Sequence, residues 1–186
     1  MSTAYIYGNR RNSSWKKEGM RVRDALKNAC EYGDVPYEYM PNNIEIPAAI
    51  TQFENCAKKL VNVGKVNRIK KFFKITSESA MKKCLMSYGP ILVIIKWYSN
   101  NYVDGRNILN ITNNKKYYDG QHCMVCYGWN EEGWKIQNSW GLGWARMGRT
   151  ILPFNTNFVE VWGLVDEENI TEEDLELIKP YNTQAS

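Results

Sequence analysis

The 186-residue sequence has no apolar run near the roughly 18 residues that a membrane span needs. Its longest, Ile91 to Ile95, is strand-sized. The first residues, MSTAYIYGNRRNSSWKK, lack the charged-then-apolar order of a secretory signal. These absences predict a soluble chain without a membrane partner, held in the cytoplasm or in a larger assembly such as a phage particle. No basic stripe interleaved with aromatics is present, only pairs such as Lys58-Lys59 and Lys70-Lys71, so a nucleic-acid partner is not expected. Cys123-x-x-Cys126 has no second CxxC to complete a zinc site. It also falls in a stretch, HCMVCYGW, that reads as a strand, where residues three apart face opposite ways. No metal site is expected.

What is present is globular. Apolar residues make up 44% and charged residues 24%, ordinary values for a chain with a packed core. Charge is uneven: residues 166–176 hold 7 of the 20 acidic side chains, leaving 23 Lys/Arg against 13 Asp/Glu in residues 1–165. The scattered bases read as a solvated basic surface beside an acidic tail. Five cysteines, an odd number without a signal, point to buried free thiols rather than a disulfide framework. The 20 Asn, 16 Lys and 15 Ile suit an AT-rich coding source, as in many Gram-positive bacteria and their phages.

Periodicity gives the organisation. Val22, Ala25, Leu26 and Ala29 stand at helical spacing and Gly33 follows as a stop. DVPYEYMPNN reads as an extended link, because Pro36 and Pro41 exclude helix. Residues 46–60 predict a second helix with Pro47 in its first turn, and residues 66–75 predict a strand. Thr76 or Ser77 can cap a short helix through Met86, after which Gly89-Pro90 launches the strand ILVIIKWY. Residues 99–119 read as an Asn-rich loop. HCMVCYGW, GWKIQNSW, MGRTILPF and FVEVWGLV then read as short antiparallel strands, and residues 170–178 as an amphipathic helix. The domains expected are a helical part over 1–63, a β-rich part over 64–166 and an acidic tail over 167–186.

The single histidine, His122, precedes Asn138 by sixteen residues, and Asn138 opens the run NSWGLGW. His122 with Tyr127-Gly128, then Trp134-Lys135-Ile136, then Asn138-Ser139-Trp140-Gly141 and Gly143-Trp144 resemble the C-terminal portion of the papain-like cysteine peptidases. Ala145 stands where the motif's last glycine is expected. The resemblance extends upstream through EGMRVRDALKNACEYGDVPYEYMP and SESAMKKCLMSYGPILVIIKW, and so covers most of residues 1–166. It implies an α+β papain-like fold, a small helical lobe with an antiparallel β-barrel-like lobe, and no cofactor. It also implies that His122 is the general base and later acid, that Asn138 fixes its tautomer, and that Trp140 shields their hydrogen bond, with Gly141, Gly143 and Trp144 in support. A hairpin with His on one strand and Asn on the next would make them a cross-strand pair.

The nucleophile is unknown from the sequence. In this family the cysteine precedes the histidine by roughly 130–150 residues, which counts back from His122 to positions before Met1. The family's long central helix, whose N-terminus carries that cysteine, is accordingly expected to be absent. Cys30 and Cys84 read as core thiols, and Cys123 adjoins His122 but faces away from it. Ser14-Trp15 superficially resembles Cys-Trp but lies only 108 residues upstream of His122. Three readings follow: an interaction or structural module inactive by itself, a thiol peptidase completed by a cysteine-bearing segment, or another Cys-His-Asn acyl transferase of similar architecture. In each case, apolar surface between the lobes would be covered by another polypeptide, by a second copy, or by the tail with Leu175, Leu177 and Ile178.

Overall fold

The computed structural model describes residues 3–9, 19–40 and 50–165. The chain forms two compact units, one of residues up to Phe72 together with Val165, the other of Phe73–Leu164. The expectations for Ser14, for Pro47, for residues 46–49, for Cys56 and for the 170–178 helix lie outside the residues or side chains described.

The first unit is helical: α1 (Thr3–Gly8), α2 (Val22–Glu31) and α3 (Ile50–Gly64). Tyr5 and Val35 are fully buried and, with Ala4, Met40 and Ala57, form its core, flanked by Tyr32, Leu60 and Val63. The Tyr5 hydroxyl donates to the Tyr32 carbonyl at 3.2 Å, and the Asn28 amide donates to the Asn9 carbonyl at 2.8 Å. Both bonds tie the chain around α1 to the end of α2. Gly33 has φ +71°, and a Cβ there would collide with the backbone of Gly64. The stop after α2 is therefore also a contact point between backbones, which only glycine allows. Helix α1 was not foreseen, because six residues are too few to show a helical period.

The second unit is built on a six-stranded sheet in the order β1-β8-β2-β5-β6-β7, and its named pairs are antiparallel. The strands are β1 (Lys71–Lys74), β2 (Ile91–Tyr98), β5 (Tyr118–Trp129), β6 (Trp134–Gln137), β7 (Arg149–Leu152) and β8 (Glu160–Val165). A second, two-stranded pair, β3 (Tyr102–Val103) and β4 (Leu109–Asn110), is joined to β7 through the Asn107 carbonyl, which accepts the Ile151 N–H and the Thr150 hydroxyl, both at 2.9 Å. The architecture is α+β, and the sheet is open, with β1 and β7 at its edges, rather than a closed barrel.

Apolar alternation explains the sheet. Ile91, Val93 and Ile95 of β2, Ile136 of β6 and Leu152 of β7 have no exposure, and all are residues that suit a pleated buried surface. Helix α4 (Glu78–Ser87) begins as expected: Ser77 accepts the Ala80 N–H through its hydroxyl at 3.2 Å, and Glu78 sits in the first turn. Two expectations are corrected. The 66–75 strand shortens to β1, preceded by a 3₁₀ turn at Lys65–Asn67. The Asn-rich stretch is not wholly loop: Asp104 accepts the N–H groups of Arg106 and Ile108, both at 2.9 Å, and closes the turn between β3 and β4. Those same bonds hold the Asp104 carboxyl below its usual value.

Because Ile136 and Leu152 are sealed on adjacent strands, Ile136→Ala or Leu152→Ala should lower stability by about 2–5 kcal/mol. Leu142→Ala, at a side chain 71% exposed, should change it by less than about 0.5 kcal/mol. Urea unfolding midpoints of the three variants check both statements.

Candidate active site

His122 lies on β5, directly across from Ile95 of β2. On its other side, Val125 pairs with Gln137 of β6. Extending that register one residue sets Asn138 opposite Met124, two positions from His122 on the same face. The expected cross-strand pair is therefore diagonal, and a carboxamide can span that offset. His122 Nε2 and Asn138 Oδ1 are 2.8 Å apart.

The backbone fixes how Asn138 presents its amide. Its N–H donates to the Gly148 carbonyl at 2.9 Å, and the Gln137 side-chain amide donates to the same carbonyl at 3.1 Å. Asn138 Oδ1 also accepts the Ser139 N–H at 2.8 Å. An atom that accepts a backbone N–H is the carbonyl oxygen, and it can only accept from the imidazole as well. The proton of neutral His122 thus sits on Nε2, and Nδ1 carries the lone pair available to a substrate or nucleophile proton. The partner amide Nδ2 of Asn138 is buried and donates to nothing among the described residues.

Aromatic rings bracket the imidazole. Trp140 stacks on it at 4.6 Å with planes 30° apart, and Trp97 meets it edge-on at 5.2 Å. Trp97 and Trp140 meet each other at 4.8 Å, and Trp140 meets Trp144 at 5.5 Å. The two rings pack against the imidazole, and Asn138 beside it is only 4% exposed. Trp97 escaped the sequence reading. It lies two residues beyond Ile95 on β2, opposite Gly120, so strand alternation and register together identify it as the other diagonal neighbour of His122. Gln137, which braces the Gly148 carbonyl, was missed as well.

Residues 139–148 form the turn around Trp140. Gly141, Gly143 and Trp144 lie within it as the motif suggests, and the Gly148 N–H donates to the Trp144 carbonyl at 2.7 Å. Gly148 has φ +77°, and a Cβ would press on Gln137 and on the Gly141 carbonyl. Ala145 and Met147 also have positive φ, +48° and +54°, a conformation that side chains other than Asn and Asp adopt uncommonly. Trp140, Leu142 and Met147 are exposed along this turn.

None of the described cysteines hydrogen-bonds His122. Burial pushes the Cys84 thiol up to about 12 and the thiols of Cys123 and Cys126 up to about 11, from 9.0. Cys30 is also raised by burial, against a smaller opposing effect of Arg68. A thiol held this way is protonated at neutral pH and is a poor nucleophile. Because the folded state keeps these protons longer than the unfolded chain does, stability is intact below pH 9 and declines as pH rises through 11. Urea midpoints should fall over that interval, and should fall less in Cys123→Ala.

The fold and site can be placed among known proteins. The family model described as papain family cysteine protease matches residues 8–164. An uncharacterised peptidase C1-like protein of Acanthamoeba polyphaga mimivirus is 24% identical over 165 residues, covering 82% of this chain and 53% of its own length. The chain thus spans about half the length of that curated relative. Xylellain, a cysteine protease from Xylella fastidiosa, superimposes with a TM-score of 0.76 at 19% identity, over 90% of this chain and 70% of the other. The Carica candamarcensis cysteine protease CMS1MS2 gives 0.62 at 16% identity, over 90% and 78%. With the histidine strand, the asparagine turn and most of the described chain inside that match, this chain belongs to the papain family of cysteine proteases.

Proposed function

We propose that the chain carries the acid–base half of a thiol peptidase site, His122 oriented by Asn138, and that by itself it hydrolyses no peptide bond. In this reading it acts as an interaction module within an assembly, its partner another polypeptide or a second copy of the chain. The observation that carries the reading is the contrast between two sets of groups. The imidazole is held by a 2.8 Å bond in one tautomer, whereas the described cysteines Cys30, Cys84, Cys123 and Cys126 are half-buried or buried thiols with raised pKa values. An acyl transfer of this type needs a thiolate that the imidazole generates and stabilises. The exposed apolar side chains of Trp140, which stacks on the histidine, and of Leu142 and Met147 on the same turn suit a surface that is covered in use.

A second reading is favoured by how fully the histidine is prepared. A fixed tautomer that leaves Nδ1 to accept is what a base needs in order to take a thiol proton. Here a cysteine-bearing segment from outside the described residues completes the site, and the product is an active thiol peptidase.

A thiol-reactive peptidyl probe separates the readings. The purified 186-residue chain should show no labelling that depends on His122, and native mass spectrometry should find it in a defined complex with its partner. Stoichiometric labelling of one cysteine, lost in His122→Ala, would overturn the first reading. Labelling that appears only once the partner is present would favour the second.

A further inference from the structure

Gln137 precedes Asn138 at the end of β6, so its side chain leaves the sheet on the face opposite the asparagine. Its direct partner on β7 is Arg149. Arg149 Nε donates to Gln137 Oε1 at 2.8 Å, and the guanidinium lies 5.4 Å from the centre of the Tyr127 ring of β5. A guanidinium has only donors, so it settles which end of the Gln137 amide is oxygen. The other end, Nε2, donates to two backbone carbonyls, that of Asn138 at 3.0 Å and that of Gly148 at 3.1 Å. A Cβ on residue 148 would stand 2.9 Å from that nitrogen, so the glycine leaves the room that the amide fills.

Both carbonyls lead to the asparagine. The Gly148 carbonyl accepts the Asn138 N–H at 2.9 Å. The Asn138 carbonyl belongs to the same peptide group as the Ser139 N–H, which donates to Asn138 Oδ1 at 2.8 Å. Hydrogen bonds in series polarise one another, so a peptide that accepts at its oxygen donates more strongly at its nitrogen. Oδ1 in turn lies 2.8 Å from His122 Nε2. The links therefore run unbroken from guanidinium to imidazole, through the Gln137 amide, the 138–139 peptide and Asn138 Oδ1.

We propose that Gln137 is a positioning residue for His122, acting through the 138–139 peptide to keep Asn138 Oδ1 aimed at the imidazole, with Arg149 fixing the orientation of Gln137. This role rests on the reading of His122 as an oriented acid–base group, and it places the support for that orientation on the far face of the sheet.

Gln137→Glu in the ¹⁵N-labelled 186-residue chain is the direct test. Glutamate keeps the size of the side chain and a partner for Arg149, but its carboxylate only accepts, so both carbonyls lose their donor. Exchange of the Ser139 N–H should quicken about fivefold, the effect of one lost hydrogen bond. With the imidazole neutral, the His122 ring nitrogens should move part of the way towards their resonances in Asn138→Ala. Amide exchange at Ile95 and Ile136 should stay as in the unaltered protein. Faster exchange there together with Ser139 would assign Gln137 to support of the sheet and overturn the proposal. Unchanged Ser139 exchange and ring resonances, with Asn138→Ala still moving the ring, would also overturn it and leave the reading of His122 standing. A ring indifferent to Asn138→Ala would overturn both. If Gln137→Glu does not fold, Arg149→Met, at an exposed side chain, decides by the same readouts.

Discussion

The hydrogen bond between His122 and Asn138 is the constraint on which the site depends, and the sheet makes it possible. β5 is paired on both sides, to β2 over Tyr118–Cys126 and to β6 over Val125–Trp129, so the backbone of His122 is held by the β2 ladder opposite Ile95 just before the β6 ladder begins. Asn138 is the first residue past β6, where the chain leaves the ladder, and its own N–H is anchored on the Gly148 carbonyl. A one-residue slip of β6 would turn Asn138 to the other face. The buried alternation of Trp134 and Ile136, against Leu152 and Thr150 of β7, resists that slip. Core packing thus fixes, at the far end of the strand, which amide atom meets the imidazole.

The rings around His122 serve the same end by different means. Trp140 arrives on the turn 139–148, which reaches its shape partly through positive φ at Ala145 and Met147. Trp97 arrives on β2 opposite Gly120, whose φ is +135°, where a bulge breaks the register with β5. One wall of the site therefore rests on a turn with two unfavourable conformers and the other on the centre of the sheet. A non-glycine residue in that region persists only where its surroundings hold it there, and here the hydrogen bonds of Gly148 to Trp144 and Asn138 close the turn. The thiols of Cys84, Cys123 and Cys126 show the opposite design: burial pushes each of them up, so they stay protonated at neutral pH.

Much of this was legible in the sequence because the signals were local or strongly patterned. The ILVIIKWY strand, the Ser77 cap and the His122–Asn138 pair each follow from a run, a capping residue or a spaced motif. Other features were hidden because they depend on contacts distant in sequence. Helix α1 is short, and its burial comes from α3 some fifty residues on. The proximity of Trp97 to His122 follows only once the register Ile95–His122 is known. The turn at Asp104 looked like loop because its bonds run from a side chain to backbone N–H groups, which hydropathy cannot reveal.

What the family match adds is the fold and its membership, while the chemistry attributed to this chain rests on the state of one imidazole. Because His122 is the sole histidine, ¹⁵N NMR of the ring nitrogens reads that state directly in the intact protein. With the imidazole neutral, the ring should show a protonated Nε2 and a bare, acceptor-type Nδ1, and Asn138→Ala should let the two tautomers mix. A proton resident on Nδ1, or a ring already averaging between tautomers in the unaltered chain, would contradict the account.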